Sequence, residues 1–128
     1  MAAAMNLLLD THAFLWWWTD DPKLGAEARD AVAGAGVIFV SAASAWEAAI
    51  KQGLGRLRLR DRFERSVEDS GFEKLPILFV HAERAGTLPR HHADPFDRML
   101  VAQAQIEGLT LISHDRWFER YDVEVLWA

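Results

Sequence analysis

Short apolar runs alternating with longer alanine-rich segments constrain the fold of this chain more than any other feature. Residues 6–9 (Asn-Leu-Leu-Leu), 37–40 (Val-Ile-Phe-Val) and 109–112 (Leu-Thr-Leu-Ile) are four-residue runs set off by polar residues or glycine. Runs this short suit strands buried on both faces. Residues 123–126 make a fourth strand, and residues 75–80 are a further candidate weakened by Pro76. Helices are predicted over 26–33, 43–52, 61–69, 82–87 and 95–107. Strand and helix therefore alternate along the chain, which predicts an α/β fold with a mostly parallel sheet covered by helices on both faces. With no repeat, linker or low-complexity tract, residues 1–128 read as a single domain.

A chain of 128 residues that is 51% hydrophobic can bury a sizeable core, and its 26% charged content suits a soluble protein. No apolar stretch approaches the roughly 20 residues of a membrane span. The start, Met1 to Met5, lacks a basic segment, and Asp10 and His12 break the apolar stretch after it, so no signal peptide is expected. Cysteine is absent. That removes disulfides and thiolate metal sites, fits a cytoplasmic location, and leaves oxygen and imidazole as the metal donors.

Acidic residues fall where such a sheet places its ligands, just beyond the carboxyl ends of the strands. Asp10 closes the first run, Glu47 follows the second within its helix, and Asp115 comes soon after the run ending at Ile112. Asp97 opens the helix that leads into that same run. Each has a local alternative: Ser44 to Glu47 fits a capping box, Asp94-Pro95-Phe96-Asp97 fits a capped helix start, and Asp115 fits a turn. Asp10 is the hardest to explain locally. Four carboxylates on one rim repel one another unless a hard cation neutralises them, and Mg2+ or Mn2+ at such a site recruits substrate phosphate.

Four blocks carry a family resemblance: residues 7–17 around Asp10, residues 41–51 around Glu47, His92-Ala93-Asp94-Pro95-Phe96-Asp97-Arg98 with the helix that follows, and Leu111-Ile112-Ser113-His114-Asp115. In order and spacing they resemble the PIN-domain nucleases of the VapC toxin type. The resemblance implies a Rossmann-like sheet with acids at one end, Mg2+ or Mn2+ as cofactor, and RNA as substrate. It implies metal-binding and catalytic roles for Asp10, Glu47, Asp97 and Asp115, with Asp94, Thr11 and Ser113 in support. A homodimer and a VapB-like antitoxin partner are implied as well.

The formal net charge is -5, yet Lys51, Arg56, Arg58, Arg60, Arg62 and Arg65 face only Asp61 and Glu64 in their segment, giving it +4 and the remainder -9. Arg56 and Arg58 belong to an Arg-Leu alternation of strand period, which suits phosphate or antitoxin contact, and Arg98 suits an acid partner or a phosphate. Trp16-Trp17-Trp18 must turn at least one indole outward, for which a partner surface is the expected use. Zinc is disfavoured because His91 and His92, being adjacent, do not comfortably share an ion. The turn Asp10-Thr11-His12 lacks the glycines of a dinucleotide site, and Lys74 is misplaced for a phosphotransfer receiver. A DNA nuclease and a catalytically silent binding domain remain as alternatives.

Overall fold

The computed structural model describes residues 5–128; the expectation about the Met1 to Met5 start falls largely on residues 1–4, outside that range. The elements run β1 (Leu7–Leu9), α1 (Thr11–Trp18), α2 (Ala26–Gly34), β2 (Ile38–Ser41), α3 (Ala42–Gly53), α4 (Phe63–Asp69), β3 (Glu73–Leu75), α5 (Phe79–Thr87), α6 (Pro95–Glu107), β4 (Thr110–Ser113), a 3-10 turn (Arg116–Arg120) and β5 (Val125–Trp127). The five strands form one sheet in the order β3-β2-β1-β4-β5, every neighbouring pair parallel. The α/β fold expected from the alternation is therefore present, and among the described residues no helix is long and apolar enough to cross a membrane.

Side chains of a strand alternate between faces, and β1 divides its leucines accordingly. Leu7 and Leu9 join Phe14, Leu24, Ala28, Val32, Ala48, Phe63 and Val67, so α1, α2, α3 and α4 contribute to one core. Leu8 joins Leu88, Leu100, Val101, Ala104, Leu111 and Phe118, so α6, the residue that ends α5 and the 3-10 turn contribute to the other. All three leucines are fully buried. Burial of each is worth roughly 1.5–3 kcal/mol before the entropy of ordering is set against it.

Several helix termini follow from single residues. Pro95 occupies the first turn of α6, where its missing N–H costs nothing, and Asp94 caps that turn. Gly108 ends α6 in the left-handed region at φ 67°, a conformation that side chains with a Cβ resist. Ser41 ends β2 and also caps α3, its hydroxyl accepting from the N–H of Ala43 at 3.0 Å. Strand and helix thus join without a loop, and Ser44 lies inside the helix instead of at its start.

Three local expectations need correction. β3 stops at Leu75, before Pro76 removes a ladder donor, and the apolar residues Phe79 and Val80 open a helix. The ring of His81 stabilises that start by accepting at Nδ1 from the N–H of Leu78, 3.0 Å away. Residues 56–60 alternate as expected, with the leucines half-buried and the arginines exposed, but pair with no strand among the described residues. β5 begins only at Val125, two residues later than the apolar run suggested.

Candidate active site

β1 and β4 are adjacent, while the chain leaves β1 toward β2 on the other side, so the switch point of the sheet lies between them. Beyond the carboxyl ends of such strands a crevice forms. It is a cavity of about 390 Å³ lined by five acids, Asp10, Glu47, Asp94, Asp97 and Asp115, with Lys51 and Arg116 as the cationic side chains of the lining. Thr11, His12 and His114 complete the wall. The acids inferred from the sequence are thus brought together from α3, α6 and the ends of β1 and β4.

Three of these acids also cap helical turns, so the local explanations hold without excluding a place in the cavity. Asp10 Oδ1 accepts from the N–H of Ala13 at 2.8 Å, and Asp115 Oδ1 accepts from that of Trp117 at 3.0 Å. Asp94 Oδ1 accepts from the N–H groups of Phe96 and Asp97 at 2.8 and 3.2 Å. Each cap uses one carboxylate oxygen. Glu47 differs: the capping box proposed for it is absent, because Ser41 holds the cap position. Instead the hydroxyl of Thr11 donates to Glu47, Ser44 Oγ lies 2.9 Å from that hydroxyl, and Lys51 Nζ sits 3.2 Å from the other oxygen of Glu47.

Electrostatics set Asp10 and Asp97 apart. Burial pushes the carboxyl of Asp10 above its ordinary value, opposed by the neighbouring Ser113 hydroxyl, the Ala13 N–H and the histidines at 12 and 114. Ser113 Oγ also accepts from the N–H of Asp115 at 3.0 Å, so one hydroxyl lies beside both acids. Asp97 is pushed up to about 7, first by burial, then by the charge of Asp94, with Asp10 adding to the shift and His92 opposing it. Groups held in this way are short of positive charge.

That shortage tests the fit of a metal ion. The donor set is carboxylate oxygen, the pocket is acidic, and the ligand-capable atoms of His92, Asp94 and Asp97 lie within 4.8 Å of one another. A hard divalent cation matches such donors and would offset the burial and the Asp94 charge that raise Asp97.

The arginines inferred from the sequence lie elsewhere. Arg56 and Arg58 are exposed on the segment after α3 and do not line the cavity. Arg98, for which the sequence suggests an acid or phosphate partner, is turned to the backbone. Its guanidinium donates to the carbonyls of Ala85, Leu88 and Pro89 at 2.9–3.0 Å, with the His92 carbonyl and the Tyr121 hydroxyl at 3.4 Å. The physical reason is supply: the chain turning from α5 into the loop before α6 leaves carbonyls unpaired, and a five-donor group satisfies them.

His92 is a site residue that the sequence reading does not pick out. Its Nε2 lies 2.8 Å from Asp97 Oδ2 and 3.9 Å from Asp115 Oδ2, and its ring stacks on Trp117. Neighbouring His91 packs its ring edge-on against Tyr121. The position of His92 five residues before Asp97 is the available signal.

An all-parallel α/β sheet carrying five acids at its switch point defines the class. Residues 7–124 match the PIN domain, and the chain belongs to the PIN-domain family, a nuclease superfamily. No curated protein matches it in sequence. Among solved structures it is similar to VapBC2 from Rickettsia felis bound to a promoter DNA fragment, at 14% identity and TM-score 0.71, covering 96% of this chain and 98% of that one. A toxin–antitoxin complex from Klebsiella pneumoniae gives 20% identity, TM-score 0.66 and coverage of 94% and 95%. DNA-bound VapBC from Salmonella typhimurium gives 18%, 0.66, 96% and 98%. At these identities the likeness concerns the fold.

Proposed function

We propose that the protein is a cation-dependent endoribonuclease, the toxin of a toxin–antitoxin pair, acting in the cytoplasm. The observation that carries this reading is the gathering of five acids around one cavity in a PIN-domain chain. Asp10, Glu47, Asp97 and Asp115 would hold Mg2+ or Mn2+, with Asp94 in support. When bound, the ion supplies charge neutralisation at the phosphate and makes water a better nucleophile.

The chain's own residues prepare the site. Thr11 fixes the Glu47 carboxylate, Ser113 holds the backbone that presents Asp115, and Lys51 and Arg116 provide positive charge at the cavity wall for a phosphodiester. Arg56 and Arg58 serve as phosphate contacts along a strand running away from the cavity. Arg98 shapes the loop before α6. Water attack in line with the 3′ oxygen leaves 5′-phosphate and 3′-hydroxyl ends.

The partners proposed are an RNA substrate, a VapB-like antitoxin and a second copy of the chain. Two exposed apolar surfaces support protein partners: Ile77 to Val80 at the start of α5, where Phe79 is 87% exposed, and Trp46, Ile50 and Leu54 on and just after α3.

The test is cleavage of total RNA by antitoxin-free protein with Mg2+ or Mn2+, beside Asp10→Asn, with product ends mapped. The expected result is discrete cuts that are lost with chelator and abolished or strongly reduced in the variant. Ends of the 2′,3′-cyclic kind would overturn the hydrolytic route. A folded, cation-binding protein that cuts no RNA would favour a silent binding domain, and cleavage of DNA alone would favour a DNA nuclease.

A further inference from the structure

Given the cation site proposed above, we infer that His92 is the positioning residue of Asp97, holding one carboxylate oxygen so that the other is presented to the ion. The two oxygens of Asp97 stand in different surroundings. Oδ2 is 2.8 Å from His92 Nε2, whereas Oδ1 has no hydrogen-bond partner among the described residues. With the carboxylate ionised, Nε2 carries the proton and donates to it, so this nitrogen is occupied by Asp97 while the pair is intact.

The imidazole is held in turn. Its plane lies 7° from that of the Trp117 ring, with centroids 5.4 Å apart, and the backbone N–H of His92 donates to the Tyr121 hydroxyl at 3.0 Å. Arg120 lies over Trp117 at 4.6 Å, which fixes the indole. Trp117 belongs to the turn capped by Asp115, itself one of the acids of the cavity. The Asp97 and Asp115 sides of the site are therefore braced against each other through a His-Trp stack. Glu47 is held differently, by Thr11 and Lys51 within the α1–α3 side.

Partners that orient a ligating carboxylate characteristically contribute 10- to 100-fold in metal affinity. The experiment is Mn2+ binding to the full chain, followed by electron paramagnetic resonance of the free ion, for wild type, His92→Phe and His92→Gln. Phenylalanine keeps the stack on Trp117 and removes the donor. Glutamine restores an N–H donor.

Mn2+ affinity is expected to fall by roughly 10-fold or more in His92→Phe and to recover at least partly in His92→Gln, with circular dichroism confirming both folds. Unchanged or tighter binding by folded His92→Phe overturns the positioning role while leaving the cation site intact. If His92→Phe does not fold, wild-type affinity in His92→Ala overturns it equally. Absence of Mn2+ binding by the wild type removes the cation site itself, and the inference with it.

Discussion

Asp97 is asked to remain ionised where burial and Asp94 both oppose it, and the same tension, from burial, acts on Asp10. For Asp97 the raised folded value means that the native protein binds more protons than the unfolded chain between the ordinary carboxylate range and about 7, and the upward shift of Asp10 acts in the same direction. The contribution of these acids to stability is therefore greatest below the ordinary carboxylate range and is lost as pH rises through the folded value. In chelator, the contribution of Asp97 should lower the midpoint of thermal unfolding from pH 5 to pH 7.5. Mg2+ should raise that midpoint more at pH 7.5 than at pH 5, because at the lower pH protons compete for the same oxygens. Thermal scans over that range check this, and Asp97→Asn should flatten the decline seen in chelator. A decline of equal size in Asp97→Asn would place its origin in other groups.

At the scale of elements, the loop between α5 and α6 depends on one side chain. Arg98 reaches from the first turns of α6 to three carbonyls at the end of α5 and just beyond, and charged hydrogen bonds of this kind contribute about 1.5–3 kcal/mol each when their partners would otherwise be unpaired. Because the loop is partly solvated, the net loss expected for Arg98→Leu is about 2–3 kcal/mol, read by urea unfolding. A change below about 0.5 kcal/mol would mean that water satisfies those carbonyls equally well. Here the sequence was least legible. Nothing local says that an arginine beside an acid will bond to backbone about ten residues earlier, since that depends on where the α5 carbonyls fall in space. The apolar residues 77–80 misled for a related reason: composition favoured a strand, whereas Pro76 and the reach of His81 to Leu78 decided for a helix. By contrast β1, β2, β4 and the acids at their ends were readable, because burial on both faces leaves a continuous apolar run and a charge at its end is conspicuous.

Over the whole molecule, charge is divided between an acidic cavity and an exposed basic segment carrying Arg56 and Arg58. For single-stranded RNA, each phosphate neutralised adds about 0.7 to the slope of log affinity against log salt. Arg56→Ala and Arg58→Ala, made in the Asp10→Asn background, should each lower that slope by about 0.7, measured by fluorescence anisotropy of a labelled RNA. An unchanged slope would remove them from the path of the strand and leave that surface to a protein partner.

The position of β4 carries a consequence for synthesis. Leu7 to Leu9 lie beside Thr110 to Ile112, so the centre of the sheet is completed by chain made long after its first strand. While a ribosome is still translating, Asp10 and Glu47 exist but Asp115 and the strand that presents it do not. A nascent chain, or a product truncated before β4, therefore has neither the finished sheet nor the full set of acids. Any activity housed in this cavity would be withheld until β4 has emerged and the sheet has closed around its first strand.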